Sequence, residues 1–387
     1  MKNLLNVLLV VVLGAAVIVL SSVTEKRTTA SDSASPAQTS PAEKTPLSID
    51  ERVAEIRTVL EELAFAEEVC GSVLIAHEGV PILQAAYGMA DRGLEIPNRV
   101  DTKFNLGSLD KMFTGVAIMQ LVEQDLVSLE GTIGEYLPDY PNPDVADAVT
   151  IHQLLTHTGG LGDYFDSPQY IGAHDEIRSL DGYFVLFADE PLTFEPGSQN
   201  GYSNSGYIVL GLIIEAVSGV SYFDYVREHI FAPSGMTDTA CYELDAGTPN
   251  LAIGYTTRDR DDNELDEAID NTFILPMRGG SAGGGYSTAP DLLAFANALM
   301  GNRLLSAESI EVVTAGKASI REDVAYAYGF FDRIVQGYRA IGHGGGFPGI
   351  CSMLNIYPEL GYTIVILSNS DWGCVGASEA ITEALLD

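Results

Sequence analysis

Lysine is scarce in this sequence. Only six occur among 387 residues, at positions 2, 26, 44, 103, 111 and 317, and lysine and arginine together number 20 against 54 acidic side chains. The formal net charge is −34. A surface of that sign repels phosphate, which excludes nucleic acid as a partner and opposes docking on anionic lipid. Residues 1–50 hold four basic and four acidic residues, which leaves 16 basic against 50 acidic in the remainder. An acid-rich, lysine-poor chain fits a halophilic protein, because salt screening relieves its self-repulsion.

Cysteine is sparse too. Cys70, Cys241, Cys351 and Cys374 fit no zinc spacing, and spacing assigns no pairs among them. No repeat of about 20–50 residues is present, which excludes solenoids and propellers. The run Gly283-Gly284-Gly285 lacks the strand, lysine and helix of a phosphate loop. The acidic stretch Asp259, Asp261, Asp262, Glu264, Asp266 and Glu267 reads as a solvated loop and not as a calcium site. Neither a metal nor a cofactor is expected.

One long apolar run, Leu4–Leu20 behind Lys2, reads as a targeting segment. Residues 1–23 are therefore expected to be a signal peptide or a membrane anchor. Residues 24–47, rich in Ser, Thr, Ala and Pro, are expected to be a disordered linker. The expected location is outside the cytoplasm: extracellular, periplasmic or tethered to the outer face of the membrane.

From residue 48 the patterns become those of a folded domain. Ser48 and Glu51 make a capping box ahead of Ile49, Val53, Ile56, Leu60 and Leu63 at helical spacing. Ser72–Ala76 and Ile82–Tyr87 read as a hairpin. A helix from about Ser108 to Glu123 carries Met112, Val116, Met119 and Val122 on one side. Further helices are expected at Ile151–Leu155, Tyr207–Val217, Ser221–Ile230 and from Ser287. Strands return at Tyr328–Arg333, Tyr338–Ile341, Ile350–Tyr357 and Thr363–Ser368, before a helix at Val375–Leu386. The fold class is α+β: an antiparallel sheet built from both chain ends, flanked by helices, with a mostly helical inserted domain. The expected lobes are about 48–105 with 276–387, and about 106–275, with a cleft between them.

Three groups of residues carry chemistry. Ser108 and Lys111 share one helical face, and a serine hydroxyl needs a base to become a nucleophile. A lysine serves only if burial or nearby cations lower its pKa. Tyr202-Ser203-Asn204 adds a second proton carrier and an amide that both donates and accepts. His343-Gly344-Gly345-Gly346 offers backbone N–H groups that, with the N–H of Ser108, would form an oxyanion hole. His157 reads as structural.

Five landmarks stand in order: Gly107-Ser108-Leu109-Asp110-Lys111, Thr156-His157-Thr158-Gly159-Gly160, Tyr202-Ser203-Asn204, Gly283-Gly284-Gly285 and His343-Gly344-Gly345-Gly346. Over nearly all of residues 50–387 this order resembles the serine β-lactamase and penicillin-binding-protein superfamily. That superfamily includes class C β-lactamases, D-Ala-D-Ala carboxypeptidases and family VIII carboxylesterases. The resemblance implies Ser108 as the acylated nucleophile, with Lys111 and Tyr202 as the proton-transfer pair. It implies Asn204, His343, Gly345 and Gly346 on the substrate side.

Two departures bear on substrate and mechanism. The third motif reads His-Gly-Gly where class C β-lactamases have Lys-Thr-Gly, so a permanent positive charge and a hydroxyl donor are lost. Asp110 precedes Lys111 where Thr or Ser is usual, and an acid there would favour a protonated lysine and shift the base role to Tyr202. The expected activity is hydrolysis of a small ester, amide or peptide. A β-lactamase or D-Ala-D-Ala carboxypeptidase is the first alternative. A catalytically silent relative that binds peptidoglycan or a partner is the second.

Overall fold

A computed structural model describes residues 47–259 and 263–386. The expected targeting segment (1–23) and all but the last residue of the expected linker (24–47) lie outside the described residues, as do Asp261 and Asp262 of the acidic run.

The sheet has eight strands: β1 (Gly71–His77), β2 (Val80–Tyr87), β3 (Ala318–Arg321), β4 (Val324–Tyr326), β5 (Phe331–Val335), β6 (Tyr338–Phe347), β7 (Ile350–Tyr357) and β8 (Tyr362–Ser368). Their spatial order is β2-β1-β8-β7-β6-β5-β4-β3, and every neighbouring pair is antiparallel. Both ends of the chain thus build one sheet, as the α+β reading requires. The longer helices are α1 (Ile49–Phe65), α2 (Asp110–Glu123), α3 (Asn204–Ser218), α4 (Ala289–Met300) and α5 (Val375–Leu386).

Side-chain alternation splits the sheet between two cores. Val73, Ile75, Ile364 and Ile366 face α1 and α5 through Ile56, Leu60 and Ile381. Leu74, Leu354, Val365 and Leu367 face the larger core built with α2, α3 and α4. Strands β7 and β8 are buried along their whole length, which fits their predominantly apolar sequences.

Several expectations change. Helix α2 is not one-sided: Lys111, Met112, Phe113, Thr114, Val116 and Ala117 are all buried. It lies between the sheet and the helical region, so every face meets protein. Residues 343–346 are not a loop, because β6 continues through them to Phe347. The strand expected at Tyr328–Arg333 begins at Phe331, after a turn closed by the Ala327 N–H on the Phe330 carbonyl. Strands β3 and β4 carry no strong apolar alternation and escape a reading by pattern. The acidic run is partly strand: Glu264–Asp270 pairs with Tyr255–Arg258.

Cys351 and Cys374 form a disulfide with Cα atoms 5.6 Å apart, while Cys70 and Cys241 are free thiols. The bridge joins β7 to the residue preceding α5, 23 positions on. Cys374→Ser is expected to destabilise the fold by about 3 kcal/mol, the loop-closure value for that separation. Denaturant unfolding with and without reductant measures it, and a wild-type midpoint indifferent to reductant would refute it.

Candidate active site

Ser108 lies in a single 3₁₀ turn, Gly107–Leu109, that leads into α2. The turn is held from three sides. The Leu106 N–H donates to the Gly285 carbonyl at 2.7 Å, and the Gly284 N–H donates to the Gly107 carbonyl at 3.2 Å. The Ser352 hydroxyl donates to the Leu106 carbonyl at 2.6 Å. Gly107 adopts φ +49°, and a Cβ there would stand 3.0 Å from the Gly346 nitrogen. A Cβ on Gly345 would overlap the Leu106 carbonyl oxygen. Gly345 of β6 is thus required by close approach to the Ser108 turn.

β5 pairs with β6 only as far as Gly342, whereas β7 accompanies β6 to Phe347. Beyond Gly342 no strand among the described residues covers the β5 side of β6. Gly346 lies in that stretch and lines the same pocket as Ser108.

Lys111 is completely buried one helical turn from Ser108. Its Nζ lies 3.2 Å from Ser108 Oγ, and donates to Asn204 Oδ1 at 2.7 Å and to the Ala282 carbonyl at 2.5 Å. It also sits over the faces of the Tyr202 and Tyr207 rings, 4.9 and 5.4 Å from their centres. Burial lowers its pKa to about 7, against the opposing charges of Asp163 and Asp110.

Asn204 opens α3, whose N-cap is Ser203: the Ser203 hydroxyl accepts from Gly206 N–H at 3.1 Å. Asp163 fixes the Asn204 amide. One carboxylate oxygen accepts from both the backbone N–H and the side-chain N–H of Asn204, each at 2.8 Å. That leaves Oδ1 of Asn204 for Lys111. The other Asp163 oxygen accepts from Phe165 N–H at 3.1 Å and caps the turn Tyr164–Asp166.

Asp110 does not pair with Lys111. Its carboxylate accepts from the Gly285 N–H at 2.5 Å, and burial raises its pKa to about 7. The expected hold on a protonated lysine is therefore not made as a contact. The Tyr202 hydroxyl is buried and makes no hydrogen bond. Burial pushes its pKa well above the ordinary phenol value, although the nearby Ser108 hydroxyl works against the shift. Tyr202 rests as a neutral phenol near Ser108, its hydroxyl without a hydrogen-bond partner among the described residues. His157 is structural, as read. Its Nδ1 accepts from the Ser203 N–H at 3.2 Å, and its ring packs 4.2 Å from Tyr202 and 4.5 Å from Tyr326.

His343 is the clear correction. It is fully buried and is not part of the pocket wall. Its Nδ1 donates to the Gly344 carbonyl at 2.5 Å, and its Nε2 accepts from the Tyr326 hydroxyl at 2.9 Å. Burial, with the Lys111 charge adding to it, drops its pKa to about 3. A histidine so engaged is neutral and offers a substrate neither charge nor donor.

The pocket above Ser108 is open at its mouth. Ser108, Asn204 and Gly346 meet there, while Lys111 and Tyr202 are not among the lining residues. Gly283 and Gly284 also line it, so the glycine run belongs to the site. Asp163, the Ala282 carbonyl and the wall aromatics Tyr164, Phe165 and Phe347 were not legible as site residues. Asp163 carries one signal, its place three residues after the Gly159-Gly160 pair; a backbone carbonyl carries none.

A buried lysine against a serine hydroxyl, with a third group aiming it, defines the serine-hydrolase class of site. The beta-lactamase family model matches residues 57–385, and the chain belongs to that family. Penicillin-binding protein 4* of Bacillus subtilis (strain 168) is 29% identical over 336 residues, covering 82% of this chain and 71% of that protein. The crystal structure of a penicillin-binding protein from Bacillus halodurans is 33% identical with a TM-score of 0.76, covering 84% of this chain and 98% of that one. A D-amino acid amidase from Ochrobactrum anthropi SV3 is 26% identical with a TM-score of 0.75, covering 86% and 98%.

Asp163 anchors Asn204 and is the largest charge raising the Lys111 pKa. Asp163→Asn is expected to lower turnover by about 10²-fold, because the amide loses its fixed orientation. The same change is expected to move the acidic limb of the pH profile to lower pH, because a lysine without its anion loses its proton more readily. A limb that moves to higher pH would refute this account of the lysine.

Proposed function

We propose that this chain hydrolyses small esters or amides through a covalent Ser108 acyl-enzyme, with Lys111 as the base. The arrangement of three partners around Lys111 Nζ carries the reading. Two of them, the Asn204 and Ala282 oxygens, only accept. A neutral amine has two N–H donors and one lone pair. Its donors match the two carbonyls, and its lone pair falls to the Ser108 hydroxyl.

In the first step the Ser108 proton passes to Lys111 as Oγ bonds to the substrate carbonyl carbon. The carbonyl oxygen becomes an oxyanion, received by the N–H groups of Ser108 and Gly346. The intermediate then collapses and the C–O or C–N bond breaks. The leaving group takes the proton through the free Tyr202 hydroxyl, which donates to it and is reprotonated by Lys111. Water repeats the sequence on the acyl-enzyme, and the acid is released with Ser108 and Lys111 restored.

The similarity to penicillin-binding proteins supports a competing substrate, a β-lactam or a D-Ala-D-Ala peptide. The neutral, enclosed His343 speaks against it, because those substrates carry a carboxylate. Export is part of the same proposal: the apolar run behind Lys2 and the Cys351–Cys374 disulfide both suit an oxidising compartment outside the cytoplasm. The acidic composition supports assay in molar salt.

The test is one panel in molar salt: p-nitrophenyl esters, amino-acid amides, nitrocefin and a D-Ala-D-Ala peptide, on wild type and Ser108→Ala. Ester or amide turnover is expected to fall by about 10⁴-fold or more in the variant. Wild-type turnover is expected to rise with pH through about 7, where Lys111 loses its proton, and to level off above it. Turnover that survives Ser108→Ala refutes the mechanism, and efficient nitrocefin turnover moves the substrate to β-lactams.

A further inference from the structure

Resting on the acyl-enzyme reading, the wall of the Ser108 pocket narrows the substrate class. Its lining includes the aromatic and apolar side chains of Tyr164, Phe165, Tyr183, Tyr242, Leu275 and Phe347. Phe165 and Phe347 stack at 5.2 Å between ring centres, and Tyr164 touches Phe165 at 4.4 Å and Tyr183 at 5.0 Å. The Tyr183 hydroxyl donates to the Arg278 carbonyl at 2.6 Å, so its polar end is already satisfied. The polar side chains on the wall are Asn105, Ser108 and Asn204, besides tyrosine hydroxyls. Among the described residues that line the pocket, none carries a charge.

The cations near the wall are committed elsewhere. Arg278 donates from Nε to the Cys241 carbonyl at 2.9 Å, and its guanidinium lies 3.5 Å from the centre of the Phe223 ring. Arg333 is buried against the Asn355 amide. Arg178 is held by Glu243 and Asp245. Lys111 spends its donors on Asn204 and Ala282. Meanwhile two carboxylates, Asp110 and Asp163, lie buried beside the site. A carboxylate brought into this pocket would shed water and gain no counter-ion from its lining. An aromatic or branched apolar group would exchange water for ring faces.

We propose that the acyl group of the substrate is uncharged and carries an aromatic or branched apolar body, and that the pocket rejects acyl groups bearing a carboxylate. The acyl group is the part that stays on Ser108 after the leaving group departs, so it is the part the enclosed wall must fit. This places aromatic and branched apolar acyl donors inside the class and dicarboxylic half-esters outside it.

Three p-nitrophenyl esters with one leaving group test it: 3-phenylpropanoate, its para-carboxy derivative, and the methyl ester of that derivative, which matches the size without the charge. Wild type is expected to turn over the first and third with kcat/KM on the order of 10²-fold above the second, mostly through KM. Leu244→Lys, which places an ammonium on the half-buried rim, is expected to shrink that ratio at least tenfold, with Tyr242→Lys as a second position. Ratios are read within each variant, so a loss common to all three esters does not affect them. Equal wild-type turnover of all three esters, lost in Ser108→Ala, overturns the selectivity and leaves the acyl-enzyme intact. A ratio unchanged in both lysine variants overturns the electrostatic cause. Turnover independent of Ser108 overturns the acyl-enzyme reading itself.

Discussion

A lysine taken wholly out of water is the constraint that the rest of this structure serves. Burial alone makes an ammonium unstable, and the Lys111 amine answers it by lowering its pKa towards neutrality. That answer requires partners that accept hydrogen bonds without supplying a full pairing charge at contact distance. The Asn204 amide oxygen and the Ala282 carbonyl are such partners. Asp163 stays one bond further out, on the far side of the Asn204 amide, and Asp110 turns away to Gly285. Had either carboxylate touched Nζ, the ion pair would have held the proton. The geometry keeps the anions near enough to orient and too indirect to neutralise the base.

The backbone around Ser108 shows the same dependence. To bring the β6 edge beside the nucleophile, Gly107, Gly345 and Gly346 must pack main chain on main chain. A Cβ at Gly345 would fall on the Leu106 carbonyl oxygen. Close approach is what places an open strand edge next to the serine, because β5 stops at Gly342 while β7 continues. Backbone N–H donors on such an edge need no side chain, so the sequence marks them only as glycine.

That difference explains what was legible from sequence and what was not. Ser108 and Lys111 could be paired because a helix fixes i and i+3 on one face whatever the fold around them. The sheet built from both ends followed from apolar strand runs in β1, β7 and β8. Tyr202 and Asn204 were found by their order along the chain, not by any local periodicity. Asp163 was not found, because its role depends on a contact across 41 residues that no local spacing encodes. The expected strand stopped at Ile341, before the glycines after His343, since a glycine run has no strand propensity; packing against the Ser108 turn overrides that and carries β6 to Phe347. His343 itself was read as partly charged. The charge of a histidine is a property of its surroundings, and enclosure between Tyr326 and Gly344 removes it.

The overall charge and the site are then parts of one electrostatic balance. A chain with formal net charge −34 surrounds the buried amine with distant anions, and each favours the protonated lysine. Those surface charges act through water and are screened within about 10 Å at 0.1 M salt. The desolvation of Lys111 is local and is not screened. Salt therefore weakens the term that would disable the base and leaves intact the term that creates it. An acidic surface is compatible with a neutral buried lysine only because the two act over different ranges, and high ionic strength widens that separation.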